Sequence, residues 1–248
     1  MMKVIYILWL RQLKKYFRSK SRIIGSLGQP LLFLVAMSFG FGPIYQKAGG
    51  GNYMEFLVPG IVSMSILFTA IFAGIEIIWD RQFGFLKETL VAPVSRFEIM
   101  IGRTLGGATV ATIQGAIVLA ISFFIGFHFK LIILPIVLFS MFLIAFLFTA
   151  FGTAIASTLQ DMQGFQLIMN FLIMPIFLFS GALFPLNGLP KVIEIVSSIN
   201  PLSYGVDVLR WILTGISHFG PTIDFLVLGG VIILFVSIGS YLFSKIQV

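Results

Sequence analysis

Mostly apolar residues fill six windows of this chain, 23–44, 56–75, 104–127, 131–160, 162–190 and 225–244, and no charged side chain falls inside any of them. A bilayer core of about 30 Å is crossed by about 20 helical residues. A single Asp, Lys or Arg at its centre costs on the order of 3 kcal/mol. Six charge-free stretches of this length therefore predict six membrane spans, with helical parts at 23–44, 56–79, 97–127, 131–159, 164–186 and 225–244. Windows four and five are parted only by Asp161. Joined, they would form a helix of roughly 90 Å at 1.5 Å per residue, which no bilayer accommodates. The chain must turn near 157–164, where Gln160, Asp161, Gln163 and Gly164 cluster. The first apolar run exceeds the roughly 7–15 residues of a signal-peptide core, so it reads as a retained span.

The flanking charges orient the spans. Seven Lys and Arg lie in residues 1–22, four more lie between Glu76 and Arg103, and Lys245 is near the end. The opposite side holds Lys47, Lys130, Lys191 and Arg210. Twelve against four places the richer side, and both termini, in the cytoplasm, and the chain in the cell (inner) membrane. Residues 1–22 contain no acid, and Ile5, Leu8, Trp9, Leu13, Tyr16 and Phe17 recur at spacings of three and four between basic residues. That pattern predicts an amphipathic helix lying flat in the inner headgroup layer.

Two polar segments carry further signals. In 80–95, Phe83, Leu86 and Leu90 share one predicted helical face, with Arg81, Gln82, Lys87 and Glu88 around it. Pro93 ends the pattern. Ser95, with Glu98 three positions on, then forms a capping box that opens a new helix at Arg96. In 187–224, Asn187 and Gly188 make a turn, a short helix is expected after Pro190, and Asn200 with Pro201 reads as an N-cap and first-turn pair. Asp207 and Arg210, three apart on that second helix, could pair. This segment is too polar to span and too apolar for a simple loop, and predicts two short helices dipping into the outer leaflet.

The order G-F-L-K-E-T-L-V-A-P-V-S-R from Gly84 to Arg96, and the N-P-L-S-Y of 200–204 followed by Arg210, resemble the membrane subunits of type-2 ATP-binding-cassette transporters, which export drugs, polysaccharides and lipids. The likeness covers essentially the whole chain. It implies an all-α integral membrane fold of six spans, with an N-terminal interfacial helix, a cytoplasmic coupling helix between spans two and three, and re-entrant outer helices before span six. It implies that Gly84, Leu86, Glu88, Leu90, Pro93, Ser95 and Arg96 lie at or beside an ATPase-docking surface, and that Asn200, Pro201, Tyr204 and Arg210 belong to an outer gate. It further implies a cytoplasmic ATP-binding subunit, with ATP and magnesium held there, and a second permease copy or related chain.

Composition narrows the alternatives. Hydrophobic residues make up 58% of the chain and charged residues 10%, against about 25% charged in a soluble domain. The net charge of +7 sits beside apolar spans, so it is explained by topology and membrane lipids and not by nucleic acid. There is no Cys, no phosphate-cradling loop ending in Lys-Ser or Lys-Thr, and no H-E-x-x-H. His128 and His218 are far apart. No catalytic residue, cofactor or metal site is expected in this chain. A stand-alone secondary transporter or channel is the alternative, but such proteins carry ionisable groups near mid-bilayer, and here only Glu76, with Asp80 beyond it, approaches that zone. An enzyme acting on lipids would need clustered acids or His near one interface, and the four Asp are scattered. Gln29, Gln114, Gln166, Asn170 and Ser180 are the neutral polar residues inside spans, and Gln166 and Asn170 are candidates to line a pathway. Gly102 and Gly106 form a small-x-x-x-small pair suited to close helix contact.

Overall fold

The computed structural model describes residues 2–49, 51–91 and 94–245; the side chains of Lys87, Leu90 and Val91 lie outside that description, as does Pro93. Among the described residues all regular structure is helical. Helix α1 (Met2–Arg18) leads into α2 (Lys20–Lys47). Next come α3 (Tyr53–Phe72), α4 (Ile75–Gln82) and the short α5 (Phe85–Val91). Helix α6 (Arg96–Ile125), α7 (Leu134–Thr158) and α8 (Met162–Leu178) follow, then α9 (Lys191–Ile199), α10 (Pro201–Thr214) and α11 (Pro221–Ser244). Five stretches are long and apolar enough to cross a membrane: α2, α3 with α4, α6, α7 with the 3-10 turn before it, and α11.

Helix α3 is the axis of the bundle. It is the most enclosed of the long helices, and α2, α6, α7 and α10 pack around it. Helices α2 and α11 keep most of their surface outside the bundle, as expected where lipid or another chain replaces water as the neighbour.

The helix ends follow the residues that cap them. Ser95 accepts from the Glu98 backbone N–H at 3.2 Å and opens α6. Asp161 accepts from Gln163 and Gly164 at 3.2 and 2.6 Å and opens α8 after the turn expected at 157–164. Asn200 accepts from Leu202 at 3.0 Å, with Pro201 as the first helical residue of α10.

Two expectations need correction. The first concerns α1, which does not lie flat across the spans. It runs beside α6 in matched register: Gly102 faces Ile5 and Leu8, Gly106 faces Trp9 and Gln12, Trp9 Nε1 donates to Thr109 Oγ1 at 3.0 Å, and the Tyr16 hydroxyl donates to Gln114 Oε1. A Cβ on Gly106 would stand 2.6 Å from Gln12 Cγ, so Gly102 and Gly106 are the small pair, and α1 is what they admit. Of the apolar face that the sequence assigned to lipid, Leu8 and Tyr16 are buried against protein, Ile5, Trp9 and Leu13 are half-buried, and Phe17 remains exposed.

The second concerns the helix expected over 164–186, which stops at Leu178. Its 17 residues reach roughly 25 Å, short of a full crossing. Beyond it the chain is irregular to Pro190. Carbonyls freed in an apolar setting need donors, and they find them on other elements. Asn200 Nδ2 donates to Ile176 O at 2.6 Å, Ser203 to Phe179 O at 3.3 Å, Arg210 Nη2 to Gly181 O at 2.9 Å and Tyr53 to Leu183 O at 2.9 Å.

Candidate functional site

At one end of the bundle, four helices converge on two carboxylates. Arg11 of α1 forks onto Asp80 of α4, Nη1 to Oδ2 at 2.9 Å and Nη2 to Oδ1 at 2.7 Å. Arg103 of α6 meets Asp80 Oδ2 at 2.7 Å from the other side. Lys15 of α1 and Arg22 of α2 each reach Glu76 of α4 at 3.2 Å, and Lys15 also lies 3.8 Å from Asp80. Asp80 is 4% exposed and Arg103 only 2%. A lone guanidinium at that depth would be very costly, so Asp80 is what makes Arg103 tolerable there. The two carboxylates thus bind α1, α2 and α6 to α4, and four cations against two acids leave the cluster positive.

The cluster touches the loop read as the coupling segment. The Arg11 guanidinium lies 3.8 Å over the Phe85 ring at the start of α5, a cation–π contact added to its carboxylate fork. Gly84, with φ +78°, makes the sharp turn between α4 and α5, a conformation other residues reach only with strain. Arg81 turns the other way, donating to Ser157 O at 2.9 Å and Leu159 O at 2.8 Å, and so caps the C-terminus of α7. Gln82 donates to Gln160 O at 3.3 Å. The segment after α4 is therefore held to the α7–α8 turn as well as to α1.

Within 80–95 the expected shared face does not form. Phe83 ends α4 and is 73% exposed, whereas Leu86, past the Gly84 turn, is 1% exposed. The glycine breaks the helical register that would have aligned them. Leu86 therefore shapes the loop from inside, while Glu88 is exposed and Gly84 and Arg96 are half-buried. Ser95 serves as the α6 cap. Leu90 and Pro93 fall where the side chain or the residue is not described.

The opposite end holds the second constellation. Helices α9 and α10 meet at 86°, with Asn200 and Pro201 at the elbow and the Tyr204 hydroxyl donating to Ser198 O at 2.6 Å across it. Arg210 lies over the Phe56 ring at 4.0 Å while donating to Gly181 O and Phe56 O. The Asp207–Arg210 pair expected from spacing is replaced by separate partners. Asp207 accepts instead from Ser217 Oγ and from the backbone N–H groups of His218 and Phe219, all within 2.9 Å, and so closes the turn into α11. Gln166 and Asn170 lie on the exposed side of α8, opposite its buried stripe of Phe165, Met169, Ile173 and Phe177.

The sequence reading missed the ion-pair cluster, although its signal was present. Glu76 and Asp80 are one turn apart on a helix, and Arg11, Lys15, Arg18 and Arg22 recur at four, three and four. Counting the basic residues only as topology markers hid their partners. Among the described residues, no group of three or more His, Cys, Asp or Glu is placed to hold a metal ion.

Among the described residues the bundle thus carries an ion-pair cluster at one end and, at the other, a broken elbow held by side-chain hydrogen bonds. The ABC-2 type transporter family model matches residues 3–214, and the chain belongs to that family. It is similar to the transport permease ycf38 of Cyanophora paradoxa, 28% identical over 98% of this chain and 88% of the relative. It is also similar to Nodulation protein J of Rhizobium leguminosarum bv. trifolii, 26% identical over 85% of this chain and 78% of that protein. A third relative is the doxorubicin resistance ABC transporter permease protein DrrC of Mycobacterium tuberculosis, 26% identical over 88% and 79%. The chain is a permease subunit of an ATP-binding-cassette exporter, and the family's role is transport across the membrane, not catalysis.

Proposed function

We propose that this chain forms one half of a translocation pathway in the cell membrane and is driven by a separate cytoplasmic ATPase that docks on residues 84–96. The observation that carries this reading is the continuity of contacts Phe85–Arg11–Asp80–Arg103. A push on α5 meets a guanidinium that is already fixed to α4, and α4 is fixed in turn to α6. Force applied at the loop would reach two long helices with no flexible joint between. The mobile element would be the outer elbow, whose side-chain hydrogen bonds hold the end of α8 and can be remade one by one.

In this arrangement the clustered end faces the cytoplasm, as the twelve-to-four distribution of Lys and Arg supports, and both termini lie inside. Helix α8 serves as the fifth of six crossings, its short length completed by the irregular segment to Pro190. A second permease copy covers the exposed face of α8 that carries Gln166 and Asn170, which places those residues beside the pathway. ATP and magnesium are bound by the partner subunit.

Co-purification from the native membrane tests the assignment. An ATPase with a phosphate-binding loop should come down with the chain in a one-to-one ratio. Glu88→Ala and Leu90→Ala should each weaken that association without affecting membrane insertion. Wild-type affinity in both variants would sink the docking assignment.

A further inference from the structure

Between α2 and α3 lies a cleft of about 200 Å³ that the transport mechanism above does not use. One wall is polar, with Arg22, Ser26 and Gln29 on α2; the other is mostly apolar, with Met64, Phe68 and Phe72 on α3 beside Thr69. The polar residues are spaced by four and three, so they share a helical face. They climb about 10 Å along α2 from the level of the ion-pair cluster. Gln29 is exposed and makes no hydrogen bond within the described residues. On a helix that spans a bilayer, an amide without a partner is unfavourable, so a polar guest there would satisfy Gln29. Among the described residues the Arg22 guanidinium makes one hydrogen bond, to Glu76, out of the five N–H donors it carries. The surrounding cluster has two more cations than acids.

We propose that this cleft binds an anionic amphiphile taken from the adjacent leaflet, with its acidic group on Arg22, the rest of its polar head on Ser26 and Gln29, and its first apolar carbons against Met64, Phe68 and Phe72. The volume suits a headgroup and a short length of chain, so the remaining tail stays in the bilayer beside the exposed α2. The excess positive charge selects an acidic head over a zwitterionic one. That the guest is cargo rests on the permease reading; that it binds does not.

The test uses the full-length chain in phosphatidylcholine nanodiscs doped with a photoactivatable phosphatidylglycerol, with no ATPase present. Crosslinked peptides should map to 22–30 and 64–72. Unlabelled phosphatidylglycerol should compete at least tenfold better than added phosphatidylethanolamine. Gln29→Leu should cut labelling several-fold at unchanged thermal stability, and Arg22→Gln should abolish the preference for the acidic lipid. A soluble single-chain anionic amphiphile, dodecyl phosphate, should compete if the acidic head is what is recognised; competition by lipid vesicles alone would assign the site to bilayer phosphatidylglycerol. Labelling spread evenly over the lipid-facing helices, labelling unchanged in both variants, or crosslinks joining α2 to a second copy of the chain would overturn the proposal. Loss of lipid labelling would leave ATPase docking untouched, and loss of ATPase association would leave the labelling untouched, so the two readings fail separately.

Discussion

Arg11 and Asp80, 69 residues apart, are joined by two parallel hydrogen bonds of 2.9 and 2.7 Å, and Asp80 is at the same time the counter-ion of the buried Arg103. One carboxylate thereby fixes the N-terminal helix and α6 to α4. Removing the carboxylate strands a buried guanidinium, which typically costs about 3–5 kcal/mol. Asp80→Asn should lower unfolding free energy in mild detergent by roughly 3 kcal/mol, at the lower end of that range because Glu76 is nearby. Arg11→Lys, which keeps the charge but loses the fork, should lose clearly less. Denaturant titration of the purified variants measures both, and a near-neutral Asp80→Asn would show that the cluster is dispensable to the fold.

Gly106 admits α1 because nothing larger fits between it and Gln12. Gly106→Val should push α1 off α6 at an overpacking cost of about 1–3 kcal/mol. Limited trypsin digestion should then cut after Lys14, Lys15 and Arg18 several-fold faster than in the parent, with the long helices still protected. Unchanged cutting rates would mean that α1 is held by its ion pairs alone.

Asn200 makes two bonds at once, capping α10 through Leu202 N–H and satisfying Ile176 O at the end of α8. Asn200→Ala should lose both, about 2 kcal/mol in all. Asn200→Asp keeps the acceptor and loses the donor. Hydrogen exchange separates the two roles: the Asp variant should expose amides near 176–181 while leaving 202–206 protected, and the Ala variant should expose both. Equal protection in both variants would show that the elbow is held by Ser203, Arg210 and Tyr53 without it.

Arg81 caps the last carbonyls of α7. Charge-assisted bonds of this kind are worth about 1.5–3 kcal/mol, so Arg81→Gln should loosen 155–160 by that order in native-state exchange. If the effect appeared in α4 alone, the link between the loop and the α7–α8 turn would not be energetic.

Elements whose cause lies within a few residues could be read directly from the chain. The caps at Ser95 and Asn200 depend on a side chain and N–H groups two or three positions away, and both formed, as did the turn expected around Asp161. The shared face of Phe83 and Leu86 failed because Gly84 adopts a positive φ, and a periodicity count assumes unbroken helical geometry. The Asp207–Arg210 pair failed because both groups found better-aligned partners on other elements, the 217–219 turn and the Gly181 carbonyl.

The sequence alone determined that the chain is helical, that it carries stretches long and apolar enough to cross a membrane, and where along the chain the positive charge gathers. Those properties depend on local hydropathy and on charge near helix ends, measured against a bilayer of nearly constant thickness. Only the tertiary structure decided that α1 stands against α6, that α8 stops at Leu178, and that the basic N-terminal residues are ion-pair partners of Glu76 and Asp80. Those outcomes depend on which helices become neighbours, and neighbours are chosen by side-chain volume and close approach between residues 24 to 130 positions apart, a scale that no local pattern records.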